Sequence, residues 1–280
     1  MKDFFKEHGI EFYSLIPLEK CKILKPYLLE KNGFSEKDNA IMLLIPYRSR
    51  QKPVNLTVYA SCMDYHKYVE ELNMELDSYV KAKYPQGKFK LFADHSPIDE
   101  VHASCISGLG FIGDNGLLIN EKYSSFVFLA ECITNLSAEA LGIPMTKNTT
   151  VKECYHCGAC KEACPSHCIA YDDKRPKSEC LSAITQKKGT LTDMEKELIL
   201  TNGSIWGCDI CQSVCPFTKR AEFTPIEFFN KNIITHLTSE LVCSLSDTEL
   251  ALRPFAWRGR EIILRNTELY EEHIKKTKED

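Results

Sequence analysis

The sequence has no long apolar run and no large excess of either charge. No stretch approaches the roughly 18 apolar residues of a membrane-spanning helix, which excludes such a helix. The first residues mix charged and aromatic side chains without the apolar core of a signal peptide, so we expect no export. The formal net charge of −4 over 280 residues predicts no broad affinity for nucleic acid or anionic membranes. We expect a globular protein of the cytoplasm with no membrane partner.

Cysteine, in contrast, is abundant, with 14 residues in the chain. Six of them are scattered without a disulfide-like pattern, namely Cys21, Cys62, Cys105, Cys132, Cys168 and Cys243. We expect most of these to be buried thiols, and unpaired thiols indicate a reducing compartment.

The other eight cysteines form two runs with one cysteine between them. The first run, from Cys154 to Pro165, reads C-x-x-C-x-x-C-x-x-x-C-P, and in bacterial ferredoxins three of these thiolates bind one 4Fe-4S cluster while the fourth binds the other. The second run, from Cys208 to Pro216, supplies only three thiolates. Cys180 is the best candidate for the missing ligand, because the helical pattern after it could hold it rigidly; Cys168 is next.

The crossed pattern of ligands predicts two complete 4Fe-4S clusters. Cluster A takes Cys154, Cys157, Cys160 and Cys215. Cluster B takes Cys164, Cys180, Cys208 and Cys211. A structural zinc site is the alternative, because Cys-x-x-Cys pairs also have zinc spacing. A third cysteine at two-residue spacing followed by Cys-Pro serves no zinc site, so the pattern favours clusters that carry electrons.

Helix and strand signals alternate along residues 1–145. Apolar runs predict strands at residues 40–46, 89–93, 117–120 and 125–133. Helical periodicity predicts helices at residues 20–31 and 66–84, and a terminal helix at 258–272. Ser96 followed by Pro97 has the pattern of a helix start, with Ser96 as the N-cap.

The segment from Gly108 to Gly116 has four glycines in nine residues. Such a loop lets backbone amides approach a ligand, and phosphate is one candidate. The alternative is that the glycines only turn the chain. The loop is not a dinucleotide fingerprint, because no helix with a downstream ribose-binding acid follows it.

Basic residues are grouped at three places, where they indicate either nucleic-acid contact or solvated faces. The groups are Arg48, Arg50 and Lys52; Lys174, Arg175 and Lys177; and Arg258, Arg260 and Arg265.

Five blocks of sequence, in order and spacing, resemble the epoxyqueuosine reductase family over nearly the whole chain. They are Tyr59-Ala-x-x-x-Asp64-Tyr-His66-Lys, Asp94-x-x-Pro97-Ile-x-Glu100, Gly108-Leu-Gly110-Phe-Ile-Gly113-x-Asn115, Cys180-Leu-Ser182 and Gly207-Cys-Asp209-x-Cys211-Gln-x-x-Cys215-Pro. The segment from Arg258 to Asn266 is also similar to the family. The resemblance implies an α+β protein with a nitroreductase-like α/β domain that binds cobalamin (1–145), a two-cluster ferredoxin-like domain (146–222) and a short helical tail (223–280).

The reaction implied by the resemblance is reduction of the epoxide of epoxyqueuosine in tRNA to queuosine. It uses two electrons and two protons and releases water, with cobalamin next to cluster B and electrons from a donor such as ferredoxin or flavodoxin. Asp94 matches the proton donor of the family, and its carboxyl must then hold a proton near neutral pH, which a water-poor pocket would favour. The alternative role of Asp94 is to help cap the following helix.

The resemblance also implies residues that contact the cofactor: Tyr59, His66, Gly110, Gly113, Asn115, Ser182 and Asp209. His66 is expected to be a pocket residue and not a cobalt ligand, because the motif Asp-x-His-x-x-Gly has Val69 at its last position. The chain departs from the family at Asp114, where the family has Lys, and at Val101, where it has Arg. Longer members add a helical-repeat domain that helps hold tRNA, and this chain ends before it.

Two other functions remain open at this stage. One is a corrinoid iron–sulfur reductase of another small electrophile, such as an organohalide or a free modified nucleoside. The other is a ferredoxin-like electron-transfer protein that binds no cobalamin. Cobalamin binding separates the electron carrier from the enzymes, and turnover of modified tRNA separates the two enzymes.

Overall fold

The fold was obtained as a computed structural model, which describes residues 1–145, 153–169 and 177–279. The chain divides into two compact units made of non-contiguous segments. Unit 1 consists of residues 1–47, 65–156 and 220–226, and unit 2 consists of residues 48–64, 157–219 and 227–280. The boundaries of these two units differ from those of the three domains expected from the sequence. The three-domain division remains a prediction.

The described part of the chain contains six β-strands, all in unit 1. They are Phe12–Pro17 (β1), Asn39–Pro46 (β2), Phe89–Phe92 (β3), Phe111–Ile112 (β4), Leu118–Ile119 (β5) and Val127–Thr134 (β6). Four of them form an antiparallel sheet in the order β1-β2-β6-β3, and β4 pairs with β5 in a short hairpin. The four strands predicted from apolar runs are confirmed, each to within a few residues.

Strand β2 lies inside the sheet and is covered on both faces. From Ala40 to Ile45 every side chain is fully buried. This explains the continuous apolar run in the sequence, since a strand with one wet face would alternate polar and apolar residues. β6 is the other central strand, and its Glu131 is paired with Met42 on one side and Phe92 on the other.

Thirteen α-helices lie within the described residues. They are Lys2–Glu7 (α1), Pro26–Lys31 (α2), Val58–Ser61 (α3), Tyr65–Lys83 (α4), Glu100–Ile106 (α5), Ala138–Leu141 (α6), Ala159–Glu162 (α7), Leu181–Thr185 (α8), Asp193–Asn202 (α9), Ile210–Ser213 (α10), Ser239–Ser244 (α11), Asp247–Leu250 (α12) and Arg260–Glu279 (α13). The long amphipathic helix predicted at residues 66–84 is confirmed as α4, and the terminal helix, α13, is longer than predicted.

Two helix predictions are wrong at their starts. The helix expected at residues 20–31 begins only at Pro26, because proline fits the first turn of a helix but interrupts its interior, and Leu24 is left half exposed. Helix α5 begins at Glu100 and not next to Ser96. Its N-cap is Asp99, whose Oδ1 accepts the backbone N–H of His102 at 3.1 Å.

Unit 2 is mainly helical around a core that includes Trp206, Phe255 and Ile263, all fully buried. Asn266 on α13 contributes a buried amide to this unit. Its Nδ2 donates to the carbonyl oxygens of Thr185 at 2.7 Å and Ile205 at 2.9 Å, so it joins α13 to the cysteine-bearing segment. Across the described residues, no helix has both the length and the apolar character required to traverse a membrane.

Candidate active site and metal centres

Three of the four cysteines predicted to bind cluster B lie close together in unit 2. Burial raises the pKa of Cys208 to about 11, with further contributions from the charges of Cys180 and Cys164. Cys180 is the N-cap residue of α8, and the buried side chains of Leu181 and Ile184 anchor this helix as expected. The fourth residue, Cys211, lies on α10. A group of thiols from these separate segments fits an iron–sulfur cluster.

Cys168 lies in the same group, with its Sγ 3.6 Å from Sγ of Cys164. Burial raises the pKa of Cys168 to about 12. Burial acts in the same direction on Cys164, but backbone N–H groups of Cys168 and Ile169 donate to its sulfur, and the net effect lowers its pKa. Because the two thiols are in contact, Cys168 remains the alternative ligand of this cluster.

The cysteines predicted to bind cluster A are divided between the two units. Cys157, Cys160 and Cys215 belong to unit 2, where α7 carries Cys160 and packs against α10, which ends just before Cys215. Cys154 belongs to unit 1. This ligand set remains a prediction.

Cys154 lies in a small group of potential metal ligands with Asp114 and His156. One ligand atom from each residue lies within 4.8 Å of the others, and His156 Nδ1 is 2.8 Å from Asp114 Oδ1. The structure thus pairs the carboxylate of Asp114 with this histidine. A mixed set of sulfur, nitrogen and oxygen ligands is of the type that binds zinc, but Cys154 cannot serve zinc and cluster A together.

Asp94 lies in the bend between β3 and α5, with its backbone in the left-handed region at φ 61°. Its Oδ2 is 3.8 Å from Nε2 of His66, in the first turn of α4, and its backbone N–H donates to Glu100 Oε1 at 3.2 Å. The side chain is 76% exposed, where a water-poor pocket was expected. Asp94 shares this conformation with four other non-glycine residues of the described chain, and aspartate is among the residue types that adopt it most readily.

Glu131 was missed by the sequence analysis, although it is the one acid in the apolar strand β6. The Ser96 hydroxyl donates to its Oε1 and accepts the backbone N–H of Ile98 at 3.0 Å, so Ser96 closes a local turn ahead of α5 and does not cap the helix. The carboxyl of Glu100 also lies within hydrogen-bond reach of Glu131. Burial, and then the charge of Glu100, raises the pKa of Glu131 well above its usual value.

The glycine loop forms the β4–β5 hairpin, and the structure gives its glycines a packing role. A Cβ on Gly110 would lie 2.5 Å from the backbone oxygen of Ile119, and one on Gly113 would lie 2.7 Å from Cδ1 of the same residue. Asn115 Oδ1 accepts the backbone N–H of Leu117 at 3.3 Å. Cofactor contact by these three residues remains a prediction.

Tyr59, Ser182 and Asp209, also predicted to contact the cofactor, lie in unit 2. Burial raises the pKa of Tyr59, whose hydroxyl lies within hydrogen-bond reach of Ser182 and Trp206. Asp209 accepts the backbone N–H of Val58 at 2.7 Å, and burial raises its pKa to about 6. The buried Trp206 Nε1 has no hydrogen-bond partner of good geometry among the described residues. These hydroxyl and N–H donors suit the amide side chains of a corrin.

Two of the three arginines in the basic group near the C-terminus donate hydrogen bonds within unit 2. Arg260 donates to the carbonyl oxygens of Val242 and Leu245, and Arg265 donates to that of Lys187. These bonds tie both guanidinium groups to the backbone of unit 2, and nucleic-acid contact by this group remains a prediction. The group at residues 174–177 lies outside the described side chains.

The fold and the cysteine groups together define an iron–sulfur protein with an α+β unit. Residues 153–218 match a family model described as a 4Fe-4S double cluster binding domain. The model covers both cysteine runs and Cys180, so the choice of clusters over zinc is confirmed.

The proteins similar to this chain are epoxyqueuosine reductases. The enzyme of Lactococcus garvieae is 31% identical over 72% of this chain and 57% of its own length, and that of Listeria monocytogenes is 31% identical over 66% and 48%. The chain therefore spans about half the length of these curated relatives. A solved epoxyqueuosine reductase with an epoxyqueuosine-modified tRNA-Tyr stem loop has a TM-score of 0.76, 23% identity, and coverage of 98% of this chain and 80% of its own. The resemblance found in the five sequence blocks is confirmed, and the fold is shared.

Proposed function

We propose that this chain is a cobalamin-dependent iron–sulfur oxidoreductase that reduces the epoxide of epoxyqueuosine in tRNA to queuosine. The observation that carries the proposal is the position of Asp94, an exposed carboxyl in a left-handed backbone conformation, 3.8 Å from His66. A solved relative holds an epoxyqueuosine-modified tRNA stem loop, which supports tRNA as the substrate.

The domain assignment that goes with this function is a nitroreductase-like α/β domain that binds cobalamin, followed by a ferredoxin-like domain. The antiparallel sheet of unit 1 and the cysteine-bearing helices of unit 2 support it. Clusters A and B would be held by the two sets of four cysteines predicted above. Tyr59, Ser182 and Asp209 would hold cobalamin, with contributions from His66 and the glycine hairpin.

When bound, the clusters would supply the two electrons and cobalamin would supply the reducing centre for the epoxide. The protein's own residues provide the proton and the orientation of the substrate. Asp94 would donate a proton to the epoxide oxygen, which leaves as water after a second protonation. His66, next to this carboxylate, would orient it. We place the reaction in the cytoplasm, with a ferredoxin or flavodoxin as the electron donor.

The test is anaerobic reconstitution of the full chain with iron, sulfide and cobalamin, followed by gel filtration and metal analysis. We expect about eight iron and about one cobalt per chain, and then conversion of epoxyqueuosine in tRNA to queuosine. Iron without cobalt would favour the electron-transfer protein. Bound cobalt without turnover of the modified tRNA would favour a corrinoid reductase of another electrophile.

A further inference from the structure

Glu100 and Glu131 form a pair of carboxyl groups in unit 1. Neither residue is among those predicted to bind the clusters, the cofactor or the substrate. Glu131 is fully buried in the centre of the sheet, and Glu100 is half-buried in the first turn of α5. A buried carboxylate is costly unless it is paired, and two ionised carboxylates in contact repel each other. The pair therefore needs either a cation between its members or a proton.

The hydrogen bonds around the pair show which carboxylate oxygen lacks a donor. Ser96 donates to Oε1 of Glu131, but Oε2 of Glu131 is buried and meets no donor among the described residues. The carboxyl of Glu100 is the group within hydrogen-bond reach. Since an ionised carboxylate only accepts hydrogen bonds, a proton between the two carboxyls is what satisfies Oε2.

We propose that Glu100 and Glu131 share one proton and that this pair positions Asp94. Glu131 carries the proton and donates it as a hydrogen bond to the Glu100 carboxylate. Glu100 Oε1 in turn accepts the backbone N–H of Asp94 at 3.2 Å, which holds the bend in its left-handed conformation. The role in catalysis depends on the proposed function, whereas the shared proton does not.

The charges around the pair are consistent with one bound proton. Burial raises the pKa of Glu100 to about 7, although the hydrogen bonds from the Asp94 N–H and from Glu131 act in the opposite direction. Lys25, before α2, lowers the pKa of both glutamates. The thiols of Cys21 and Cys132 also face Glu131, and burial raises their pKa values to about 11 and about 12, so both are neutral at pH 7. Near neutral pH the pair thus keeps a proton.

The shared proton has a consequence for stability. Because the pKa values of both groups are raised in the folded state, their contribution is fully present below the usual pKa of glutamate. It is lost as the pH rises from the usual pKa of glutamate through the folded values, and for Glu100 the loss is complete once the pH has passed its folded value of about 7. The denaturant midpoint of the wild type should fall across this range, and Glu131→Gln, which cannot ionise, should flatten the fall. Glu36→Gln, at an exposed position, is the matched control.

The proton itself is measured by infrared spectroscopy of the cluster-loaded chain in H₂O and D₂O. At about pH 8, where Asp209 is ionised, we expect a protonated-carboxyl C=O band that shifts in D₂O. The band should disappear in Glu131→Gln and remain in Glu36→Gln. The wild-type spectrum can be read whether or not the variants fold. Absence of the band from that spectrum would overturn the proposal of a shared proton.

Positioning is measured by hydrogen exchange of the Asp94 amide in two variants. Glu100→Ala removes the acceptor and should lower the protection factor about tenfold, the size expected for one hydrogen bond, whereas Glu100→Gln keeps an acceptor and should retain protection. Turnover should fall by about 10²-fold in Glu100→Ala and recover in Glu100→Gln. Unchanged protection in Glu100→Ala would overturn positioning. If the band and the protection behave as expected and even the wild type reduces no epoxyqueuosine, the proposed function fails and the pair stands.

Discussion

The carboxylate of Asp94 lies 3.8 Å from the imidazole of His66, measured from Oδ2 to Nε2. The first residue follows strand β3 and the second lies in the first turn of α4, so two separate elements bring an acid and a base together at the surface. The ring of His66 packs on Tyr65, with centroids 4.1 Å apart, which restricts its orientation. The arrangement suits proton transfer to a bound substrate.

Asp94→Asn should lower turnover of epoxyqueuosine in tRNA by about 10²-fold or more, the usual contribution of a general acid. Iron and cobalt contents should stay at wild-type values, because the substitution keeps the shape of the side chain. The measurement is single-turnover conversion under excess enzyme, with Glu36→Gln as the control. Unchanged turnover would remove Asp94 from the mechanism.

His66→Phe should lower turnover less than Asp94→Asn does, because it keeps the aromatic contact with Tyr65 and removes only the ring nitrogens. If His66 acts through Asp94, the double variant will be no slower than Asp94→Asn alone. Comparing rates of the two single variants and the double variant checks this. Additive losses would instead show that His66 acts independently of Asp94.

Cys180→Ala should cost one cluster, seen as iron per chain falling from about eight toward four. Cys168→Ala is the matched control, because Cys168 lies in the same group of thiols, with its Sγ 3.6 Å from that of Cys164, but is not in the predicted ligand set. Iron and acid-labile sulfide are measured after anaerobic reconstitution of both variants. If Cys168→Ala loses iron and Cys180→Ala keeps it, the fourth ligand of cluster B is Cys168 and not Cys180.

Gly110→Ala should destabilise the protein by about 1–3 kcal/mol, since the new Cβ meets the rigid backbone of Ile119. Gly113→Ala should cost less, because its Cβ meets the movable end of a side chain. Denaturant unfolding measures both. Cobalamin binding by folded Gly113→Ala then tests the hairpin as a cofactor site, and binding equal to the wild type would contradict that prediction.

Asn266→Ala should destabilise the protein by about 1–3 kcal/mol, because it leaves the buried carbonyl oxygens of Thr185 and Ile205 without their donor. Asn202→Ala removes a half-buried side-chain bond to Leu198 at the end of α9 and should cost less. Comparing unfolding midpoints of the two variants is the check. Equal midpoints would show that the α13 amide is not a structural link.

The sequence was informative where the signal is local. The spacing of the cysteine runs indicated clusters over zinc, because thiolates a few residues apart on a short chain can reach one metal group only in certain patterns. The buried strand β2 and the helix α4 were predicted correctly, since apolar runs and helical periodicity report burial along a single element. The five blocks of sequence also identified the relatives.

Contacts between distant residues were decided only by the tertiary structure. Glu131, Glu100 and Asp94 come from a strand, a helix and a bend, so no local pattern predicts that they meet. Ser96 had the pattern of an N-cap, but its hydroxyl bonds to the remote carboxyl of Glu131 and to the backbone of Ile98, and Asp99 caps α5 instead. Arg260 and Arg265 looked like surface charges, yet they bond to carbonyl groups. A hydrogen-bonding side chain takes whichever partner folding brings within reach, and that partner can be remote in sequence.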